Sequence, residues 1–354
     1  MPKLPIMMKR LSAFCFLFSI LFIGCRDAGA PDVSNIKVEL PVYRFENDFF
    51  AMDTTNITAG ISMLQQRYGN FVMDFFVNIM GLPPVTDTSG QAEKAIRQFI
   101  HDYAPIHNEA IETFRDFEPL RNKTVEGLRY VKHYFPSYTL PTRMITFIGP
   151  MDAYFEGSMG GYGDAITADG LAVGLQLHLG GNNPLYKSQV AQSLYPVYIS
   201  RKFSPEYIPV NCLKNVVDDL FPDNSASRPL VEQMVEKGKR MYLLNRFLPH
   251  TPDTLKIGYT RAQLEGCYQN EGLIWNFFLT NSLLYNSEPA IIKSYIGDAP
   301  NTQEFGTGAP GYMGLFTGWQ IVKKYMEKNE QLSLQELMQT DPRKIFEESK
   351  YRPR

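Results

Sequence analysis

An uncharged apolar run near the amino end decides which part of this chain is left to fold, and where. Leu11 to Gly24 reads LSAFCFLFSILFIG, and Lys3, Lys9 and Arg10 precede it. The run is too short for a comfortable membrane span of about 20 residues and has the proportions of a signal-peptide apolar region. It ends Leu21-Phe22-Ile23-Gly24-Cys25. A small residue before the cysteine is what a lipoprotein peptidase requires, although Phe22 stands where leucine is usual. No better cleavage site of the A-x-A kind follows the run. The expectation is a signal peptide over 1–24, cleavage before Cys25, and acyl chains, palmitate among them, on Cys25. Two hydrophobic signals suffice for stable anchoring, and a processed lipoprotein cysteine carries several. The stretch that follows, RDAGAPDVSN, has little to bury, so residues 25–39 read as a flexible tether.

Residues 40–345 then form the expected folding unit, a single mostly helical domain, with a polar tail at 346–354. The complete chain has 35 Lys and Arg against 37 Asp and Glu. Residues 1–24 carry three of those cations and no anion, which leaves 32 against 37, a formal charge of −5. That balance argues against a nucleic-acid partner. Two cysteines remain after Cys15 and Cys25 are set aside. Cys212 and Cys267 are free to pair in an oxidising compartment, but two distant cysteines make no disulfide framework.

Apolar spacing and breakers predict helices over 58–80, 91–104, 106–117 and 124–134, with Pro83, Pro105 and Pro136 as stops. Met144-Ile145-Thr146-Phe147 reads as a strand. Asp169-Gly170, flanked by Asp164–Thr167 and Leu171–Leu175, reads as the turn of an antiparallel pair. A small antiparallel sheet is therefore expected over 143–179. Helices follow at 189–201, 211–221, 228–248, 260–284 and 311–328. The fold class is α+β, mostly α-helical.

Catalytic patterns are looked for and largely missing. The histidines His101, His107, His133, His178 and His250 never fall four apart, so there is no H-E-x-x-H pair, and there is no C-x-x-C. His178 ends a strand, where packing or hydrogen bonding explains it. Gly157-Ser158-Met159-Gly160 lacks the first glycine of a nucleophile elbow, because Glu156 stands there. Gly306 to Gly311 matches G-x-G-x-x-G, yet the preceding Asn301-Thr302-Gln303-Glu304 is no buried strand, so no dinucleotide cofactor is implied. Gly314 and Gly318 share one helical face and fit close helix packing, with harm expected to grow from alanine to leucine. Lys323 and Lys324 argue against a membrane G-x-x-x-G. Asn270, Glu271 and Trp275, with Trp319, are the candidate pocket or interaction residues: a carboxylate beside an indole is either a poised acid or a half-buried, hydrogen-bonded charge.

Four blocks in order carry a resemblance. They are Leu194-Tyr195-Pro196-Val197-Tyr198-Ile199-Ser200-Arg201-Lys202-Phe203, then Met234 to Tyr242 (MVEKGKRMY), then Ile257-Gly258-Tyr259-Thr260 with Asn270 to Trp275 (NEGLIW), then Pro310 to Gly314 (PGYMG) with Gly318-Trp319-Gln320-Ile321-Val322 and Tyr325-Met326. Following a lipoprotein signal, they resemble the gliding-motility lipoprotein GldB family of Bacteroidota over most of the mature chain. The resemblance implies a membrane-anchored protein of the cell envelope, facing the periplasm, that supports gliding and the associated protein-export machinery and has no enzymatic activity. A more distant likeness is to predicted zinc peptidases. In that register Pro196, Val197 and Ser200 fall where H-E-x-x-H would lie and Lys237 where a third ligand would lie. None of these supplies the metal chemistry, so no metal is expected and a pseudo-peptidase is implied. Two alternatives stay open: a metal-free periplasmic hydrolase using Glu271, or a binding protein for an envelope peptide or glycan.

Overall fold

The computed structural model describes residues 29–83, 90–153, 157–159, 163–306 and 308–354. Residues 1–24, where a signal peptide is expected, and Cys25 lie outside them. Asp32–Arg354 pack as one unit. Val33 is buried in its core, so chain that reads as tether from composition is partly built in.

The order along the chain is β1 (Val42–Arg44), several amino-terminal helices, α1 (Glu118–Tyr134), β2 (Met144–Phe147), β3 (Asp164–Thr167) and β4 (Gly170–Gly174). Then come α2 (Tyr207–Leu220), α3 (Leu230–Phe247), α4 (Glu271–Thr280), α5 (Pro289–Ile296), α6 (Met313–Lys328) and α7 (Pro342–Ser349), with shorter helices between. The protein is 58% helical, so the α+β, mostly helical class holds. The sheet differs from expectation. Its order is β1-β2-β4-β3; β1 and β4 both run parallel to β2, and only β3–β4 is antiparallel. Every residue of β2 is buried, as a central parallel strand covered on both faces must be. The hairpin turn at Gly170 needs glycine, because φ is +136° and a Cβ would sit 2.3 Å from Arg143 O.

Three other departures have local causes. Residues 91–113 form one helix with Pro105 inside it. Ile96 and Phe99 before the proline and Ala110 after it are all buried, and that packing outweighs the roughly 3 kcal/mol a helical proline costs. The 189–201 segment is two short helices, Gln189–Leu194 and Val197–Ser200, because Pro196 restarts the chain. The expected polar tail is partly ordered core: α7 runs to Ser349, and Tyr351 is buried against Trp275, with ring centroids 5.0 Å apart.

α3 is the central beam. On one side it meets α6 with backbones in contact. A Cβ on Gly318 would lie 1.7 Å from Met234 O, and one on Gly238 would lie 2.3 Å from Gly318 C. Gly314 sits a turn away, where a Cβ would meet Ile296 Cγ2 at 2.9 Å and Tyr295 O at 3.0 Å. The other side of α3 looks into a cleft.

Candidate binding cleft

Gln233 and Lys237, one turn apart on α3, line an open cleft of about 610 Å³. Ile292, Lys293 and Ile296 of α5 line it as well, at the spacing that puts them on one helical face. Leu194, Tyr195, Tyr198 and Ile199 enter from the pair of short helices, and Ser158, Asp298 and Tyr312 from loops. Its volume falls within the range of small-molecule clefts, and its lining mixes apolar and polar side chains.

Its charged groups are mostly committed to one another. Lys237 donates to Ser158 O and lies 3.2 Å from Asp223. The Ser158 hydroxyl donates to Asp218, as does its backbone N–H at 2.8 Å, so this serine pins its loop to α2. Lys202 Nζ donates to Asp298 at 2.8 Å, with both side chains largely buried. Burial pushes the Lys202 ammonium down, and Asp298 opposes that shift. Burial raises the Asp223 carboxyl, but Arg240, Ser225 and Lys237 outweigh it and hold the group at about 2. Beneath the loop, buried Lys214 donates to Met159 O at 3.2 Å. Desolvation first, then repulsion from Lys202, brings its ammonium down to about 8.

Behind β3 a second buried network holds the sheet to α2. His178 Nε2 lies 2.8 Å from Asp164 Oδ2, and Asn211 donates to the same oxygen at 2.8 Å. This accounts for His178 structurally. Cys212 and Cys267 are free, buried thiols; burial raises both, Cys267 to about 12.

The residues singled out from sequence scatter. Lys237 lines the cleft, but Pro196 and Val197 are exposed and Ser200 is buried, and Tyr198 and Ile199 face the cavity in their place. Among the described residues, no three His, Cys, Asp or Glu side chains converge as a metal group would. Glu271 accepts from Tyr351 OH at 2.7 Å, and Trp275 packs edge-on against Tyr351 and Phe346. Asn270 donates to Gly266 O at 2.8 Å. Glu271 and Trp275 therefore fasten the carboxy-terminal segment, Asn270 closes the helix before them, and none of the three lines the cleft. Trp319 is fully buried, with Lys323 Nζ 3.5 Å from the centroid of its ring. In the G-x-G-x-x-G stretch Thr307 lies outside the described residues. A Cβ on Gly311 would sit 2.4 Å from Ala299 O, so that glycine lets loop pack on loop.

Sequence reasoning missed Lys202, Lys214 and Asp298. A signal existed for Lys214, a lone cation among Val210, Cys212, Leu213, Val216 and Val217. Gly238 was visible on the apolar face of α3, but its partner Gly318 is 80 residues away and one helix alone does not reveal the crossing.

No helix of the described residues is long and apolar enough to cross a membrane. No curated protein and no solved structure matches the chain. A family model does, that of gliding motility protein GldB, over residues 26–353. The match spans the whole folded unit, cleft and helix crossing included, and the chain therefore belongs to the family of gliding motility protein GldB.

Proposed function

We propose that the protein is a lipid-anchored envelope lipoprotein that supports gliding motility and the associated protein-export machinery by binding, without catalysing a reaction. The family match over 26–353 carries the motility part of this reading. The cleft supports only the reading of binding without catalysis. Its serine is spent on Asp218, and Lys237 and Lys202 are held by Asp223 and Asp298. A nucleophile needs an adjacent base aimed at open space. Here these groups are turned into the scaffold.

The anchor is tested by feeding labelled palmitate to cells that express the protein. Label should enter wild type, and Cys25→Ala should abolish it and slow removal of residues 1–24. Equal labelling of the variant would remove the anchor from the account. The motility role is tested by returning the gene to a gliding host that lacks its own family member. Wild type should restore spreading, and Cys25→Ala should not.

A further inference from the structure

The shape and charge of the cleft narrow what it takes. A folded partner needs roughly 800 Å² of matched surface, whereas this is a cavity of about 610 Å³, room for a short segment. Apolar contact comes from Ile292 and Ile296 on α5 and from Leu194, Tyr198 and Ile199 on the segment leading to Lys202. That apolar surface continues past the mouth. Val190 is one turn from Leu194 and Val197 is next to Tyr198, and their exposures are 72% and 67%, with Leu194 itself at 44%. Tyrosines with aliphatic neighbours are the surface that grips peptide side chains.

Charge then selects. Lys237 and Lys202 already hold Asp223 and Asp298. Lys293 on α5 is exposed and, among the described residues, has no carboxylate within ion-pair distance, whereas Lys214 is buried beneath the loop with its ammonium on Met159 O. The lining carries two lysines, Lys237 and Lys293, against two aspartates, Asp152 and Asp298, a balance that disfavours a polyanion. We infer that the cleft takes an extended peptide segment of a partner protein, with one carboxylate among apolar side chains, and that Lys293 receives the carboxylate. This deepens the binding reading above and rests on it.

The test uses the full-length protein in bilayer nanodiscs. It is titrated with two end-blocked hexapeptide mixtures, random in Leu, Val, Ile and Tyr, one with a single Glu and one with a single Lys, and with chitotetraose as a glycan probe. The Glu mixture should bind saturably and raise the melting temperature, and the Lys mixture should bind at least about tenfold more weakly. Lys293→Glu should reverse that order, and Leu194→Arg should weaken both mixtures at an unchanged melting temperature of the free protein. Equal binding of the two mixtures, an order that Lys293→Glu leaves unmoved, binding of chitotetraose alone, or no binding at all overturns the inference. Palmitate labelling does not depend on the cleft. Loss of labelling with peptide binding intact sinks only the anchor, and labelling with no binding sinks only the peptide.

Discussion

The two sides of α3 are built on opposite principles. Toward α6 the helix gives up side chains: Gly238 and Gly318 let the backbones touch, and the surrounding contact is dry and apolar. Toward the cleft it spends side chains, with Gln233 and Lys237 holding loops by hydrogen bonds and ion pairs. The first face has no room for change, because close-packed interiors transmit every added methyl group. The second face tolerates change in shape but is sensitive to charge. A recognisable sequence block can thus mark either a fold constraint or a surface used by a partner, and only the geometry tells which.

The largest effect expected tests the dry face. Gly318→Ala places a Cβ 1.7 Å from Met234 O, a backbone atom that cannot move aside without shifting α3. The cost should exceed about 3 kcal/mol, beyond the usual range for overpacking, and soluble yield should collapse. Sequence reasoning alone expects a mild alanine here, whereas the backbone approach predicts a severe one. An alanine variant with wild-type stability in denaturant titration would mean that the helices do not cross there.

The next probes the charged side. Lys214 falls from 10.5 to about 8 on folding, a penalty of about 3 kcal/mol for keeping it protonated inside. Below pH 8 both states are protonated and the folded state bears the whole penalty. Between about 8 and 10.5 the unfolded chain still holds a proton the folded one has lost, so this group makes stability rise with pH in that window. Lys214→Met should stabilise the protein at pH 7 by about 1–2 kcal/mol, once the lost bond to Met159 O is subtracted. It should also erase that rising component when its pH profile is subtracted from that of wild type. Destabilisation, or identical profiles, would show that the ammonium is well solvated.

Gly314→Ala should be milder than Gly318→Ala, about 1 kcal/mol. The nearest atom there is a side-chain methyl of Ile296 at 2.9 Å, and the nearest backbone atom, Tyr295 O, is at 3.0 Å instead of 1.7 Å. The ratio of the two alanine effects sharpens the map of the crossing; similar losses would place its closest approach elsewhere. Smallest of all is Glu271→Gln. The amide oxygen still accepts from Tyr351 OH, so thermal unfolding should register a loss below about 1 kcal/mol. Spreading of the complemented host should follow protein abundance. A stable, abundant and inactive Glu271→Gln protein would move the functional site to the carboxy-terminal segment.

What could be read from sequence was whatever is periodic or local. The apolar stripe of α3 and the Asp169-Gly170 turn of the β3–β4 hairpin are local, and both were legible. The parallel pairing of β2 with β1 was not, because β1 is three residues long and its partner lies 102 residues later. Pro105 misled because tertiary burial on both sides of it outweighs a local propensity. The cleft was legible in part. Lys237 came from a register borrowed from zinc peptidases, while the side chains that line the cavity beside it, Tyr198 and Ile199, come from the same block as Pro196, Val197 and Ser200. Lys214 and Lys202 matter through a three-dimensional balance of charge that no spacing encodes.

The central claim is that the cleft binds and does no chemistry, and Ser158 tests it most directly. A host lacking its own family member is complemented with Ser158→Ala, and spreading is measured at matched protein abundance. The account predicts spreading close to wild type, because the backbone N–H of residue 158 still donates to Asp218 and only a hydroxyl is lost. Loss of spreading by a Ser158→Ala protein that remains abundant and still binds the Glu-containing peptide mixture would contradict it.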